Sequence, residues 1–134
     1  MMYAEDIMSR PPAFTTKTPA GTANTIGMVI RGYNMGALRD GWFVFGERPT
    51  RPPHDGLVDE LCMVKSADDG KVYVRFLKRG RKPERWDLLS VTGPAMLDVE
   101  LEWATLIDWI KPHSLTKQEK AILEEDPYYM TFPT

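Results

Sequence analysis

Residues 31–47 read RGYNMGALRDGWFVFGE, and the side chain this stretch offers for chemistry is Asn34. Glycines at 32, 36 and 41 bend the chain between two apolar runs, IGMVI before and WFVF after. A loop of that kind presents its side chains at the lip of a sheet. An amide placed there donates and accepts hydrogen bonds but has no nucleophilic hydroxyl. The other reactive residue types are poorly placed for catalysis. His54 stands in a proline loop and His113 follows the last strand-like run, and the chain has one cysteine, so neither histidine has the neighbours of a zinc site. Cys62 lies in the apolar run LCMV, which predicts a small core residue rather than a reactive thiol. Asp98, Glu100 and Glu102 alternate with Val99, Leu101 and Trp103. That alternation predicts the solvent face of an antiparallel strand, not a paired acid and base.

Basic charge concentrates in KVYVRFLKRGRKPER, where Lys71, Arg75, Lys78, Arg79, Arg81, Lys82 and Arg85 are seven of the seventeen basic residues. With Tyr73, Phe76 and Trp86 interleaved, the stretch has the ingredients to grip a phosphate backbone and stack bases. The competing reading is a solvated turn, and it is preferred because those aromatics are needed for strand packing. A formal charge of -2 and a pI near 5.7 give no global pull toward nucleic acid or an anionic membrane. Direct DNA binding is therefore not expected.

The chain that must position these residues has 134 residues, 43% hydrophobic and 27% charged, enough for one domain with a single core. The single cysteine excludes a disulfide framework and fits a reducing compartment. The acidic N-terminus MMYAEDIMSRPP is unlike a signal peptide, and no window approaches the roughly 18 apolar residues of a membrane span. A cytoplasmic protein with no membrane partner is expected. Residues 1–25, broken by Pro11, Pro12 and Pro19, read as an arm with at most one helical turn near Tyr3 to Met8. Ile26 to Arg31 and Trp42 to Phe45 read as strands, and RPTRPPHDG as a proline-rich surface loop. Leu61 to Lys65, SADDG and Lys71 to Leu77 form the clearest hairpin, turning at Asp69 and Gly70. Trp86 to Val91, then LDVELEW, then ATLIDWI complete a domain over 26–112. In the remainder, 113–134, Thr116 and Glu119 form a capping box ahead of KAILEE, and Pro127 stops the helix. Tyr128, Tyr129, Met130 and Phe132 beyond it either fold back on the sheet, the preferred reading, or bind a partner. The whole predicts a mostly-β fold, a coiled sheet or small barrel with one short C-terminal helix. No dinucleotide, P-loop or zinc-protease motif is present, and no cofactor is expected.

GYNMGALRDGWFVF resembles the G-x-S-M-x-P-x-x-x-x-G-D motif of the LexA, UmuD and phage-repressor self-cleaving peptidase domains, whose serine is the nucleophile. In that family a strand of the form V-x-V-K-R-L carries the general-base lysine further along, and VYVRFL stands in the matching place here. RPPAF, RPPHDG and ELEWATLIDWI are similar to the prophage-repressor branch, so the resemblance covers residues 10–111. It implies the family's coiled β fold and places Asn34 at the nucleophile position and Arg75 at the base position, with Tyr33 and Met35 beside the cleft. It also implies a dimer formed through the closing strands, with Ile107 or Trp109 at the interface.

Both catalytic positions depart from the family. A serine attacks only after a base removes its proton, and lysine serves once burial has lowered its pKa. An asparagine offers no such oxygen, and a guanidinium is not deprotonated in proteins. The family's Ala-Gly or Cys-Gly cleavage loop lies well upstream of the nucleophile, whereas Ala20-Gly21 sits only thirteen residues before Asn34. The proline-broken N-terminal residues cannot supply a helix-turn-helix head. The resemblance thus implies a pseudo-enzyme acting by association in transcriptional, prophage or DNA-damage regulation, as a homodimer or paired with a full-length repressor. An active peptidase using another group and a nucleic-acid binder using hairpin 71–85 stand as the alternatives.

Overall fold

The computed structural model describes residues 24–125 and the backbone of 130–131. The expected arm up to residue 23, and Tyr128, Tyr129 and Phe132 of the tail, lie outside the described residues. The elements are β1 (Thr25–Val29), β2 (Phe43–Glu47), a 3-10 turn (Asp55–Leu57), β3 (Leu61–Ser66), β4 (Val72–Arg79), β5 (Trp86–Leu89), β6 (Met96–Val99), β7 (Leu101–Leu106), β8 (Trp109–Lys111), α1 (Lys117–Glu125) and β9 (Met130–Thr131). They form two antiparallel sheets, one ordered β8-β2-β1-β9 and the other β6-β5-β4-β3-β7. The mostly-β class with one short C-terminal helix is as expected, and among the described residues no barrel closes. No helix among them is long and apolar enough to cross a membrane.

The first sheet is a middle layer, which explains why β1 and β2 read as unbroken apolar runs rather than alternating ones. Ile26, Met28 and Val44 face the second sheet, where they meet Met63, Val72, Val74 and Trp103. Val29, Phe43 and Phe45 face the other way and pack on Leu123 of α1. The helix is anchored as its capping box predicts: Glu119 N–H donates to Thr116 Oγ1 at 3.1 Å, and Thr116 N–H donates to Glu119 Oε1 at 2.8 Å. The second sheet buries a core of its own on its opposite face, built from Cys62, Val64, Leu77, Trp86, Leu88 and Val99. Leu77 and Leu88 are fully buried there, and each such side chain contributes about 1.5–3 kcal/mol.

One correction concerns residues 96–111. LDVELEW is not a single strand, and ATLIDWI is not either. β6 pairs with β5, β7 with β3, and β8 with β2. Because β3 and β5 run the same way, β6 and β7 also do, with only Glu100 between them. The second sheet therefore curls until its two edges approach at Glu100, and the chain then leaves it for the first sheet at Ile107 and Asp108. Asp98 marks the break, with a left-handed φ of 52°. It is not an idle solvent-facing carboxylate: Oδ1 accepts from Arg81 N–H at 2.6 Å, and its own N–H donates to Asp87. The tail returns as well, β9 pairing with β1 at Met28↔Met130.

Candidate functional site

The loop between β1 and β2 is held rigidly at its neck. Ile30 and Trp42 close it by backbone hydrogen bonds, with Ile30 N–H donating to Trp42 O at 2.8 Å and Gly41 N–H to Ile30 O at 2.7 Å. Asp40 accepts from Gly32 N–H at 2.7 Å and lies 3.4 Å from the Arg31 guanidinium. Met35 is buried and pins the loop's underside, while Tyr33 is 73% exposed. The β5–β6 connection braces the tip: Val91 and Thr92 N–H groups donate to the Asn34 carbonyl at 2.8 and 3.0 Å. Gly36, at φ 63°, leaves room for Val91, whose Cγ1 would lie 3.1 Å from any Cβ placed there. That close approach, on top of the left-handed backbone, is what requires glycine.

Arg75 reaches the same place from β4. Residues 28–31, Asn34, Met35 and residues 72–75 line one cleft of about 150 Å³. Two positions forty-one residues apart in sequence thus share a cleft. Tyr33 stands on the loop beside it but does not line it. Four consecutive residues from each wall can line a cleft only along strand edges, because alternate side chains leave opposite faces. β3 covers the far edge of β4 from Val72 to Phe76, whereas β5 pairs only with Phe76 to Arg79. Ser66 N–H donates to Lys71 O and Leu77 N–H to Glu60 O. With that phase, residues 73 and 75 bond to β3, while the peptide groups of Val72 and Val74 point away from it. Among the described residues no strand pairs with that edge of β4.

The Arg75 guanidinium donates to Val74 O at 2.8 Å and lies 5.3 Å from the Tyr73 ring centroid. Burial pushes its pKa down, yet a guanidinium stays protonated. Among the described residues no hydrogen bond joins the Asn34 and Arg75 side chains, so the two share the cleft without forming a clasp. Nothing lining it supplies a hydroxyl beside a neutral amine. Ser66 is buried, and its Oγ accepts from Asp68 N–H. Cys62 is buried on β3, where burial, with the Glu60 charge adding to it, pushes the thiol up to about 12, leaving it protonated and inert. Among the described residues no group of three or more His, Cys, Asp or Glu could hold a metal ion.

Three of the seven basic residues of the hairpin stretch are paired with carboxylates in cis. Lys78 pairs with Asp59, Arg79 with Asp55 at 2.6 Å, and Arg85 lies 3.8 Å from Asp68 and 3.9 Å from Glu100. Arg79 also lies over the buried Trp86 ring at 4.3 Å, so that aromatic is not free for bases.

Ile107 and Trp109 lie away from the cleft and are half-buried, Ile107 against the core between the sheets and Trp109 against the Phe43 and Phe45 cluster. The exposed apolar side chains of that segment are Leu106 and Ile110. Sequence reasoning missed Arg31 and the open edge of β4 as parts of the cleft. The edge had no signal in the sequence, where Lys71 to Leu77 and Trp86 to Val91 read as strands of similar length; it arises because β5 ends at Leu89 while β4 runs from Val72 to Arg79. No family model, no curated protein and no solved structure matches this chain.

Proposed function

We propose that this chain is a catalytically silent peptidase-like β domain of the LexA and phage-repressor type, acting through association in transcriptional or prophage regulation within the cytoplasm. The observation that carries this reading is the shared cleft of Asn34 and Arg75, the two positions that the resemblance assigns to nucleophile and base. A serine and a lysine brought together in that way cut a peptide bond; an amide and a guanidinium brought together do not.

Association has a surface to use. Among the described strands β8 lies at an edge, with exposed Ile110 on it and exposed Leu106 just before it. An open edge beside exposed apolar side chains invites a second chain. Pairing across a two-fold axis covers both copies at once and brings Ile107 and Trp109 to or near the interface. The partner is a second copy, or a full-length repressor carrying the same edge. Light scattering at micromolar concentration tests this on the full chain and on Ile110→Glu. A dimer that Ile110→Glu converts to a folded monomer supports the reading, and a wild-type monomer at those concentrations removes the homodimer. The in-cis pairing of Lys78, Arg79 and Arg85 favours the solvated turn over a nucleic-acid surface.

A further inference from the structure

Three basic residues among those described are not exposed: Lys65, Arg75 and Arg85. Lys65 has Glu102 at 3.2 Å, and Arg85 has Asp68 and Glu100 within 4 Å. Among the described residues Arg75 has no carboxylate partner. Its partners there are a carbonyl and a phenol ring, and the other charged residue among the described ones lining its cleft is also cationic, Arg31. Removing a cation from water without a counter-ion is costly, and a chain of net charge -2 has carboxylates to spare for one. That the half-buried Arg75 is left without one is the signature of a site completed by something else.

We infer that the cleft takes an extended peptide segment bearing an acidic side chain, with the Asp or Glu carboxylate on the Arg75 guanidinium. This rests on the proposed reading of the cleft as a silent peptide site and adds its selectivity. The segment lies along the edge of β4 that no described strand covers, where the peptide group of Val72 and the N–H of Val74 offer a strand-addition ladder, the Val74 carbonyl being held by Arg75. A guanidinium has several N–H donors in a planar fork, and one is used on Val74 O, so others remain for a carboxylate. Arg31 is already engaged by Asp40 and does not compete for the same oxygens. The apolar side chains of Met28, Ile30 and Met35 form a low-dielectric wall that strengthens the pair. Replacing a lysine base by arginine thus does more than end catalysis: it fixes a permanent positive charge where a base must be neutral.

The test is fluorescence polarisation with short capped peptides of alternating valine and threonine around one varied central residue. Capping both ends removes terminal charges, so that only the central side chain differs. Asp- and Glu-centred peptides are expected to bind about tenfold or more tighter than their Asn and Gln counterparts. Arg75→Gln should abolish that preference and Arg75→Lys should keep part of it, circular dichroism confirming the fold of each. Val74→Pro removes an N–H that faces the cleft, not β3, and should weaken acidic and neutral peptides alike. Equal binding of acidic and neutral peptides, an acidic preference that survives Arg75→Gln, or no binding by any peptide overturns the inference. None of these outcomes concerns cleavage or association, on which the silent-peptidase reading is tested separately.

Discussion

At the scale of single residues, a cleft becomes a catalytic site only when an oxygen can lose a proton to a base beside it. Asn34 and Arg75 fail that requirement independently, so single repairs should be silent. Asn34→Ser alone and Arg75→Lys alone are expected to leave a peptide supplied in trans uncut. The double variant is expected to show at most weak cleavage, because a lysine at position 75 would still need its pKa brought down toward neutrality. Chromatography of the peptide after long incubation measures this, and appreciable cleavage by Arg75→Lys alone would show that Asn34 does not stand where a nucleophile belongs. The pairing of these two residues was an expectation drawn from the resemblance, and the fold brings both to the lining of one cleft. What surrounds them was not legible in the sequence. That no carboxylate among the described residues reaches Arg75 depends on where each acidic loop goes, and those placements are long-range: Asp55 meets Arg79 and Asp68 approaches Arg85.

At the scale of elements, the turns and caps were written locally and read correctly, whereas the strand switches were not. The β3–β4 hairpin turns at Asp69 and Gly70 (φ 72°), and α1 begins behind its Thr116 cap. The passage from β6 through β7 to β8 has no local marker, because LDVELEWATLIDWI remains a β-compatible run throughout. Only its three successive partners divide it. Gly46 shows how tightly the sheets meet there, since a Cβ at that position would collide with the Leu106 carbonyl. Gly46→Ala is accordingly expected to cost about 1–3 kcal/mol, read as a lower urea midpoint. The helix gives a pH-dependent prediction. Burial pushes the Glu119 carboxyl up, but the Thr116 N–H and the His113 ring outweigh it and hold the pKa below its ordinary value of 4.5. A lowered folded-state pKa stabilises above the ordinary value and loses that stabilisation as pH falls through the folded one. Stability should therefore decline in the acid range, by an amount on the order of a capping interaction, about 0.5–2 kcal/mol. Glu119→Gln should flatten that part of the profile in denaturant titrations taken across acid pH; an unchanged slope would show that the ionised Glu119 gains no net energy from Thr116 N–H and His113 together.

At the scale of the whole molecule, the helix, the first sheet and the curled second sheet stack as layers, and the cleft opens where the first meets an uncovered half-strand of the second. The helix is part of that stack: Leu123 is buried on Phe43 and Phe45, so cutting the chain after Pro112 would expose a core rather than a binding edge. For that reason association is better probed at the surface residue Ile110. The central claim, that the cleft holds its groups together without reacting, is tested most directly by the intact mass of the wild-type chain. The protein would be incubated for a long period at alkaline pH, near the ordinary lysine pKa of about 10.4, where a lysine base would be most active. The account predicts one undiminished mass throughout. A pair of fragments divided between Ala20 and Gly21 would contradict it.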